Sequence, residues 1–324
     1  MAGITRRGFL IATGAALASR LADASPDRGL QVGALLPMAG LAADPYLSAL
    51  RELLAARGFV DGGNLRLDVQ HATNPRQQAQ ELVSAAPDAL FACTAPLARA
   101  LARATKSIPI VFAWVADPVH AGLVQSYARP GANVTGVANR YAELAQKRVE
   151  LLHELLPAAR RVSVLAGVFD ETMEDTLRHA RIAAQRLGIA FNEAHTCAFW
   201  TEELGEALVS SADAIMVITP FAAYGTQWIS EDLARFSIAR RLPVVFSDLE
   251  SVALGGLVSY GNSFIGDVRH AAGLLGQVLE GAKPAEVPVE LAARFELAVN
   301  LRTARAVGIE VPQSILLRAD RVIE

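Results

Sequence analysis

Two aspartates stand where a ligand ammonium could be held. Asp117 follows the apolar run Ile108–Ala113 and precedes Pro118; Asp248 follows Val244–Ser247 in the second half of the chain. A carboxylate just past the end of a buried strand can pair with an ammonium, and an aspartate in such a place also makes an ordinary turn. Ser247 adjoins Asp248 at the same strand end, and Glu250 is a weaker third acid. Thr94 closes the run Ala89–Cys93 and opens a helix-like segment at Ala95-Pro96. Its hydroxyl and the unpaired N–H groups of a helix start suit a carboxylate, or simply cap the helix. Phe169, Phe221 and Tyr224 offer aromatic faces to an apolar group or a cation, and Met38 an adaptable wall. Each of the three aromatic residues can instead pack beneath its own loop.

Chemistry beyond binding has little support. Gly33-Ala-Leu-Leu-Pro-Met follows the first strand, where a dinucleotide site needs G-x-G-x-x-G. There is no P-loop, no G-x-S-x-G elbow and no H-E-x-x-H. His71, His120, His153, His179, His195 and His270 lack metal-ligand spacing, although His120 lies close enough to Asp117 to reach the same place. The residues therefore predict no enzyme, no cofactor and no metal.

The elements that must position the candidates alternate. Gln31–Leu36 is an apolar run stopped by Pro37; Asp44-Pro45 then starts a helix that runs to about Arg57 and ends at Gly58. Leu65–Val69 alternates with period two, and Asn74-Pro75 repeats the cap-and-proline start. Ala89–Cys93 and Ile108–Ala113 follow, separated by a helix-length segment. The second half gives strands at Val162–Ala166, from Ala190, at Ala214–Thr219 and at Val244–Ser247, a helix over Thr172–Leu187 and a longer one from Val268 to near Gly281. The rhythm is that of parallel sheets with helices on both faces. The halves also match each other. Ile108–Phe112 repeats as Leu242–Phe246 and Ala121–Val124 as Gly255–Val258, each 134 residues on. Val32 and Gly58 recur as Val162 and Gly188, 130 residues on. The expected fold is α/β, with two doubly wound parallel-sheet lobes. Ligands of such sheets sit beyond the carboxyl ends of the strands, so two facing lobes enclose one cleft and close on a hinge.

The length of 324 residues fits two domains, and 52% hydrophobic residues supply their cores. A net charge of −3 is wrong for a strongly basic nucleic-acid binder. Two cysteines exclude a disulfide scaffold; Cys93 and Cys197 are expected as unpaired, buried thiols in different lobes. The first 24 residues read as an export leader: Thr5-Arg6-Arg7-Gly8-Phe9-Leu10, an uncharged stretch to Ser19, then Ala22-Asp23-Ala24. The paired arginines point to the twin-arginine route and a periplasmic destination.

Several segments carry a family resemblance. They are Leu53–Leu65 with its Gly58 and Gly62-Gly63 turns, Ile108–Phe112 leading to Asp117-Pro-Val119 and Gly122-Leu-Val124, and Arg129-Pro-Gly-Ala-Asn-Val-Thr-Gly136. Gly256–Gly261, Gly281–Pro284 and the tail from Phe295 through Asp320 continue the series. In this order they resemble the substrate-binding proteins of ABC transporters, of the tryptophan/tyrosine type. The resemblance implies a type I periplasmic-binding fold with three crossings between lobes, near Thr135–Tyr141, Leu257–Asn262 and Pro284–Leu291. Lobe one would hold 28–137 plus 262–285, and lobe two 138–261 plus 286–324. It implies a monomer that binds a small solute, an amino acid or related carboxylate, and docks on an ABC permease in the inner membrane. A ligand-sensing module of the same fold is the alternative. The stretches Gly167–Thr172 and Pro220–Tyr224 depart from the family's usual loops, so the ligand is expected to differ from that of its best-known members.

Overall fold

The computed structural model describes residues 29–37, 45–167, 172–196, 201–210, 212–219, 227–292 and 295–324. The expected leader, 1–24, lies outside the described residues. In chain order the first half runs β1 (Leu30–Leu36), α1 (Pro45–Ala56), β2 (Leu65–His71), α2 (Pro75–Ser84), β3 (Ala89–Cys93), α3 (Ala95–Ala104), β4 (Ile110–Val115) and β5 (Val134–Ala138). There follow α4 (Tyr141–Leu155), β6 (Arg161–Gly167), α5 (Thr172–Arg186), β7 (Ala190–Thr196), α6 (Glu202–Val209), β8 (Ala214–Val217), α7 (Gln227–Arg240), β9 (Val244–Phe246), α8 (Leu249–Ala253) and β10 (Val258–Gly261). The chain ends with α9 (Phe264–Leu279), β11 (Glu290–Leu291), β12 (Glu296–Asn300), α10 (Leu301–Val307), α11 (Gln313–Leu316) and β13 (Arg321–Ile323). None of the described helices is long and apolar enough to cross a membrane.

Local chemistry sets many of these boundaries. Asn74 caps α2 by accepting from the Gln77 N–H, with Pro75 at the first helical position. Thr201, Ser263 and Asn300 cap α6, α9 and α10 in the same way. Gly58 and Gly188, paired by the sequence repeat, follow α1 and α5 with φ of +88° and +68°, a left-handed turn that glycine makes without strain.

Two sheets result. The first has the order β11-β5-β4-β3-β1-β2 and is parallel throughout. The second has the order β13-β12-β10-β9-β8-β6-β7. It is not purely parallel as expected, because β12 runs antiparallel to β10. The reason is connectivity: β10 ends where the chain leaves this sheet, and β12 begins where the chain returns. Alternate residues of each strand feed opposite cores. Val32, Ala34 and Leu36 of β1 pack with α1 and α9, whereas Leu35 packs with α2 and α3. In the second sheet Val162, Val164 and Ala166 meet α4 and α5, and Leu165 meets α6 and α7. Side chains such as Phe91, Phe112 and Phe246 are wholly buried, each stabilising the fold by about 1.5–3 kcal/mol.

The strand run 5-4-3-1-2 of the first sheet recurs as 10-9-8-6-7 in the second. Ile110 and Val244, which open β4 and β9, are as far apart as the matched Ile108 and Leu242. The second sequence match ends differently. Val258 opens β10, whereas Val124 is followed by a loop through Arg129-Pro130-Gly131 before β5 starts at Val134.

The chain passes between the sheets three times, after β5, after β10 and after β11. Helix α9, although it follows β10, packs on α1 and β4 of the first sheet. Strand β11 pairs with β5, so the first sheet continues past 285, where the sequence reading ended lobe one.

Gly136 of the Arg129–Gly136 motif lies opposite Phe112 in the β4–β5 pair. A Cβ there would stand 2.2 Å from the Phe112 carbonyl oxygen and 2.6 Å from its ring. Gly136→Ala is therefore expected to cost about 2 kcal/mol or more by forcing β5 off β4, read as a lower urea midpoint at unchanged slope.

Candidate functional site

Of the described candidates, Asp117 and His120 line a cavity between the lobes, whereas Thr94, Ser247 and Asp248 are buried and do not line it. Thr94 ends β3 in a strained conformation, φ 74° and ψ 152°, essentially a glycine region. Its N–H donates to the Ala113 carbonyl at 2.9 Å, and its own carbonyl accepts from Ala98 N–H in the first turn of α3. The side chain makes no capping bond, so the plain threonine cap allowed by the sequence is not formed. The backbone turn that starts α3 so abruptly carries the hydroxyl away from the capping position.

One strand over, Trp114 near the end of β4 is also left-handed, at φ +60°. Its ring stands edge-on between Tyr46, at 4.6 Å, and Phe264, at 5.1 Å, and Nε1 donates to the Phe264 carbonyl at 2.9 Å. Sequence reasoning missed this residue, since a tryptophan inside an apolar run reads as core. Its function is local and structural: it fixes the start of α9 against β4. Two strained residues on neighbouring strand ends mark this edge as a place where packing is subordinated to position.

Asp117 is half-buried in the turn after β4. Its Oδ1 accepts from Val119 N–H at 3.0 Å and His120 N–H at 2.9 Å, the turn chemistry open to any such aspartate. It also lines a cavity of about 580 Å³ that both lobes build. Ala116, Asp117, His120 and Tyr127 come from the first sheet's loops, and Arg140, Glu143, Asp175 and His179 from α4 and α5. His120 and Asp175 line it from different lobes. Asp175 is held below its ordinary pKa chiefly by a hydrogen bond from Arg178, with His179 and His120 adding to it. Burial, then the Asp117 charge, pushes the Tyr127 phenol up. Arg140 opens α4 at φ +47° and pairs with Glu143, its Nε 3.0 Å from Oε1. His179 and Asp175, one helical turn apart, are residues that spacing alone did not single out.

Ser247 and Asp248 do not line this cavity, and both are wholly buried. Asp248 caps α8: Oδ1 accepts from Ser251 N–H at 2.8 Å and Ser251 Oγ at 2.7 Å, and Ser247 Oγ lies 3.5 Å from Oδ2. Burial pushes its carboxyl up, opposed by those hydrogen bonds and by the charge of Arg148. Arg148, on α4, is itself wholly buried; its Nε donates to the Tyr260 carbonyl at 2.7 Å and Nη2 to the Ser247 carbonyl at 3.0 Å. Glu250, one residue into α8, accepts from Ser263 Oγ at 3.3 Å across the second crossing. Burial, and then the neighbouring Asp248, pushes Glu250 up to about 7. Asp267 in the first turn of α9 is pushed by burial up to about 8.

Met38, Phe169, Phe221 and Tyr224 lie outside the described residues, as does Cys197. Cys93 is buried in the first sheet, between the helices that cover it. Among the described residues no group of three or more His, Cys, Asp or Glu is arranged to hold a metal ion.

Two α/β lobes linked by three chain crossings, with a cavity built by both, define a bilobed binding protein. Residues 31–323 match the model of the ABC transporter substrate binding protein family, and the chain belongs to that family, one of binding proteins rather than enzymes. It is 28% identical over 276 residues to a "Tyrosine-binding protein" of Clostridioides difficile, a match covering 82% of this chain and 76% of that one. Among solved structures, a conserved domain protein from Vibrio cholerae superposes with a TM-score of 0.81 at 28% identity, covering 90% of this chain and 99% of that one. A Streptococcus pneumoniae ABC domain in complex with L-Trp superposes with a TM-score of 0.79 at 25% identity, covering 91% and 100%. The last two matches share the two-lobed α/β architecture described above.

Proposed function

We propose that this chain is the substrate-binding component of an ABC importer and takes an aromatic or related amino acid in the cleft between its lobes. The observation that carries this reading is the cavity lined by both lobes, with Asp117 and His120 on one side and Arg140 and Asp175 on the other. A ligand held by two bodies favours the closed arrangement by its differential affinity for it. The relatives that bind tyrosine and L-tryptophan support the ligand class. Thr94 and Asp117 contact the ligand, the loops carrying Met38, Phe169, Phe221 and Tyr224 wall it, and Ser247 and Asp248 shape the floor. Lobe boundaries near 137, 262 and 285–291 act as the hinge. The leader 1–24 exports the chain to the periplasm by the twin-arginine route, where it docks as a monomer on a permease of the inner membrane.

A thermal-shift screen of the chain from Ser25 tests this, with L-tryptophan, L-tyrosine, other amino acids, small carboxylates and nucleosides. A ligand at 100 times its dissociation constant is expected to stabilise by about 2.7 kcal/mol. The shift should shrink in Thr94→Val and in Asp117→Asn, the latter keeping an acceptor for the turn. A folded chain that no amino acid stabilises would sink the ligand assignment.

A further inference from the structure

A second cavity lies on lobe one, between α2 and α3. It holds about 760 Å³ and shares no lining residue with the cavity between the lobes. Arg76 and Gln80 line it from α2, and Arg99 and Arg103 from α3. None of the described residues that line it is acidic, in a chain whose 33 acids outnumber its 30 lysines and arginines. Elsewhere exposed arginines stand against carboxylates: Arg51 with Asp61, Arg57 with Glu280, Arg161 with Asp213 and Arg269 with Glu52. Among the described residues no carboxylate forms an ion pair with Arg76 or Arg103. The placement also runs against helix stability. Arg76 is the second residue of α2, at the positive end of the helix dipole, where a cation is unfavourable. Arg99, which is half-buried, and Arg103 are four residues apart on α3, so their charges share one side of the helix and repel. Only Arg103, in the last turn of α3, has a helix dipole in its favour. Local choices that oppose stability and converge on one space mark a functional site.

We propose that this cavity binds a soluble ligand bearing two or more linked phosphate groups. The site is separate from the cleft and stands whatever the cleft binds. Its volume lies within the usual span of small-molecule sites. A guanidinium forks onto anionic oxygens, whether of a carboxylate or of a phosphate. A carboxylate offers two oxygens in one plane, which suits a single fork. A tetrahedral phosphate presents oxygens in several directions, so one group can be held from both helices at once. Arg99 and Arg103 are one helical turn apart, roughly 5–6 Å between their Cβ atoms, a spacing that two linked phosphates bridge. Arg76 belongs to the opposite wall, and the amide of Gln80 adds a neutral donor. A bound polyanion offsets the repulsion between Arg99 and Arg103 and the misplaced charge of Arg76.

Calorimetric titration of the whole protein with sodium pyrophosphate, beside sulfate and citrate at matched ionic strength, tests the site. Pyrophosphate is expected to bind about tenfold or more tightly than either, and more weakly as sodium chloride is raised. Arg76→Gln, Arg99→Gln and Arg103→Gln should each weaken it about tenfold or more, as the loss of a charged hydrogen bond does. Arg235→Gln removes an arginine that pairs with Asp232 on lobe two, and should leave the affinity within about twofold. Arg76→Gln relieves an unfavourable cation at a helix start, so without ligand it should melt no lower than the wild type. Its loss of binding is then not a loss of fold. No binding at millimolar pyrophosphate, an affinity no better than that of sulfate or citrate, or an equal loss in Arg235→Gln would each overturn the site. Sedimentation with phosphatidylglycerol vesicles that pyrophosphate does not displace would overturn the soluble ligand in favour of a membrane surface.

Discussion

Arg148→Met is expected to destabilise the protein by about 3–5 kcal/mol, the loss typical when one partner of a buried charge network is removed. The guanidinium is wholly enclosed, ties the carbonyls of Ser247 and Tyr260 together, and sets its charge against the buried Asp248. Methionine can fill the volume but leaves both carbonyls without that donor and Asp248 without that cation. The ends of β9 and β10 are thereby loosened together, next to the second crossing. Urea unfolding measures the loss. A change under about 1 kcal/mol would show that the network is dispensable. Adding Asp248→Asn to Arg148→Met should recover part of the loss, because the uncompensated acid is then gone. Simple additivity of the two changes would argue that the residues do not act on each other.

Stability of the ligand-free protein is expected to fall as pH rises from about 4.5 to about 8. Glu250 and Asp267 are raised in the folded state, to about 7 and about 8 from ordinary values of 4.5 and 3.8. A raised carboxyl binds its proton more tightly when folded. Its contribution is therefore complete below the unfolded pKa and is lost as pH climbs through the folded one. At about 1.4 kcal/mol per pKa unit, Glu250 accounts for a loss on the order of 3 kcal/mol across its window. Glu250→Gln cannot ionise, so its stability should be flatter between pH 4.5 and 7 and exceed the wild type's relative stability on the alkaline side. Denaturant midpoints at four or five pH values would show this, and parallel profiles for the two proteins would refute it. Asp175 and Asp213 have lowered values and act in the opposite sense at low pH, but both are partly exposed and so screened by solvent.

How much of this is written in the chain depends on the range of the interaction. The elements were legible because their causes are local. Asn74-Pro75 starts a helix, Gly58 and Gly188 follow helix ends, and the all-buried Ala89–Cys93 reads as a strand from its own five residues. The lobe repeat was legible too, since similar strand orders need similar spacing. The antiparallel β12 was not, because its direction follows from a crossing and from no feature of Glu296–Asn300 itself. Asp117 and Asp248 stand out by their position after apolar runs; the structure shows the first holding a turn and lining the cavity, and the second starting a helix. Arg148 was invisible for an instructive reason. It stands in Gln146-Lys-Arg-Val-Glu150, where Lys147 pairs with Glu150 on an ordinary solvated face. Only the meeting of α4 with β10 encloses the arginine. Asp267 likewise looks like a favourable acid in the first turn of a helix, and its burial comes from the lobe joint.

The threading of the chain also dictates when the protein can become whole during synthesis. Strands β1 to β5 are finished by Ala138, yet the helix that covers one face of them, α9, does not begin until Phe264. Until it emerges, Val32, Phe91, Val111 and Ala113 present an apolar surface with half its cover missing. A growing chain must carry that surface through the making of nearly all of lobe two. The nascent protein is thus a natural client for holding factors on the ribosome. Truncations anywhere before Leu279 should behave as insoluble fragments rather than as small, independent lobes.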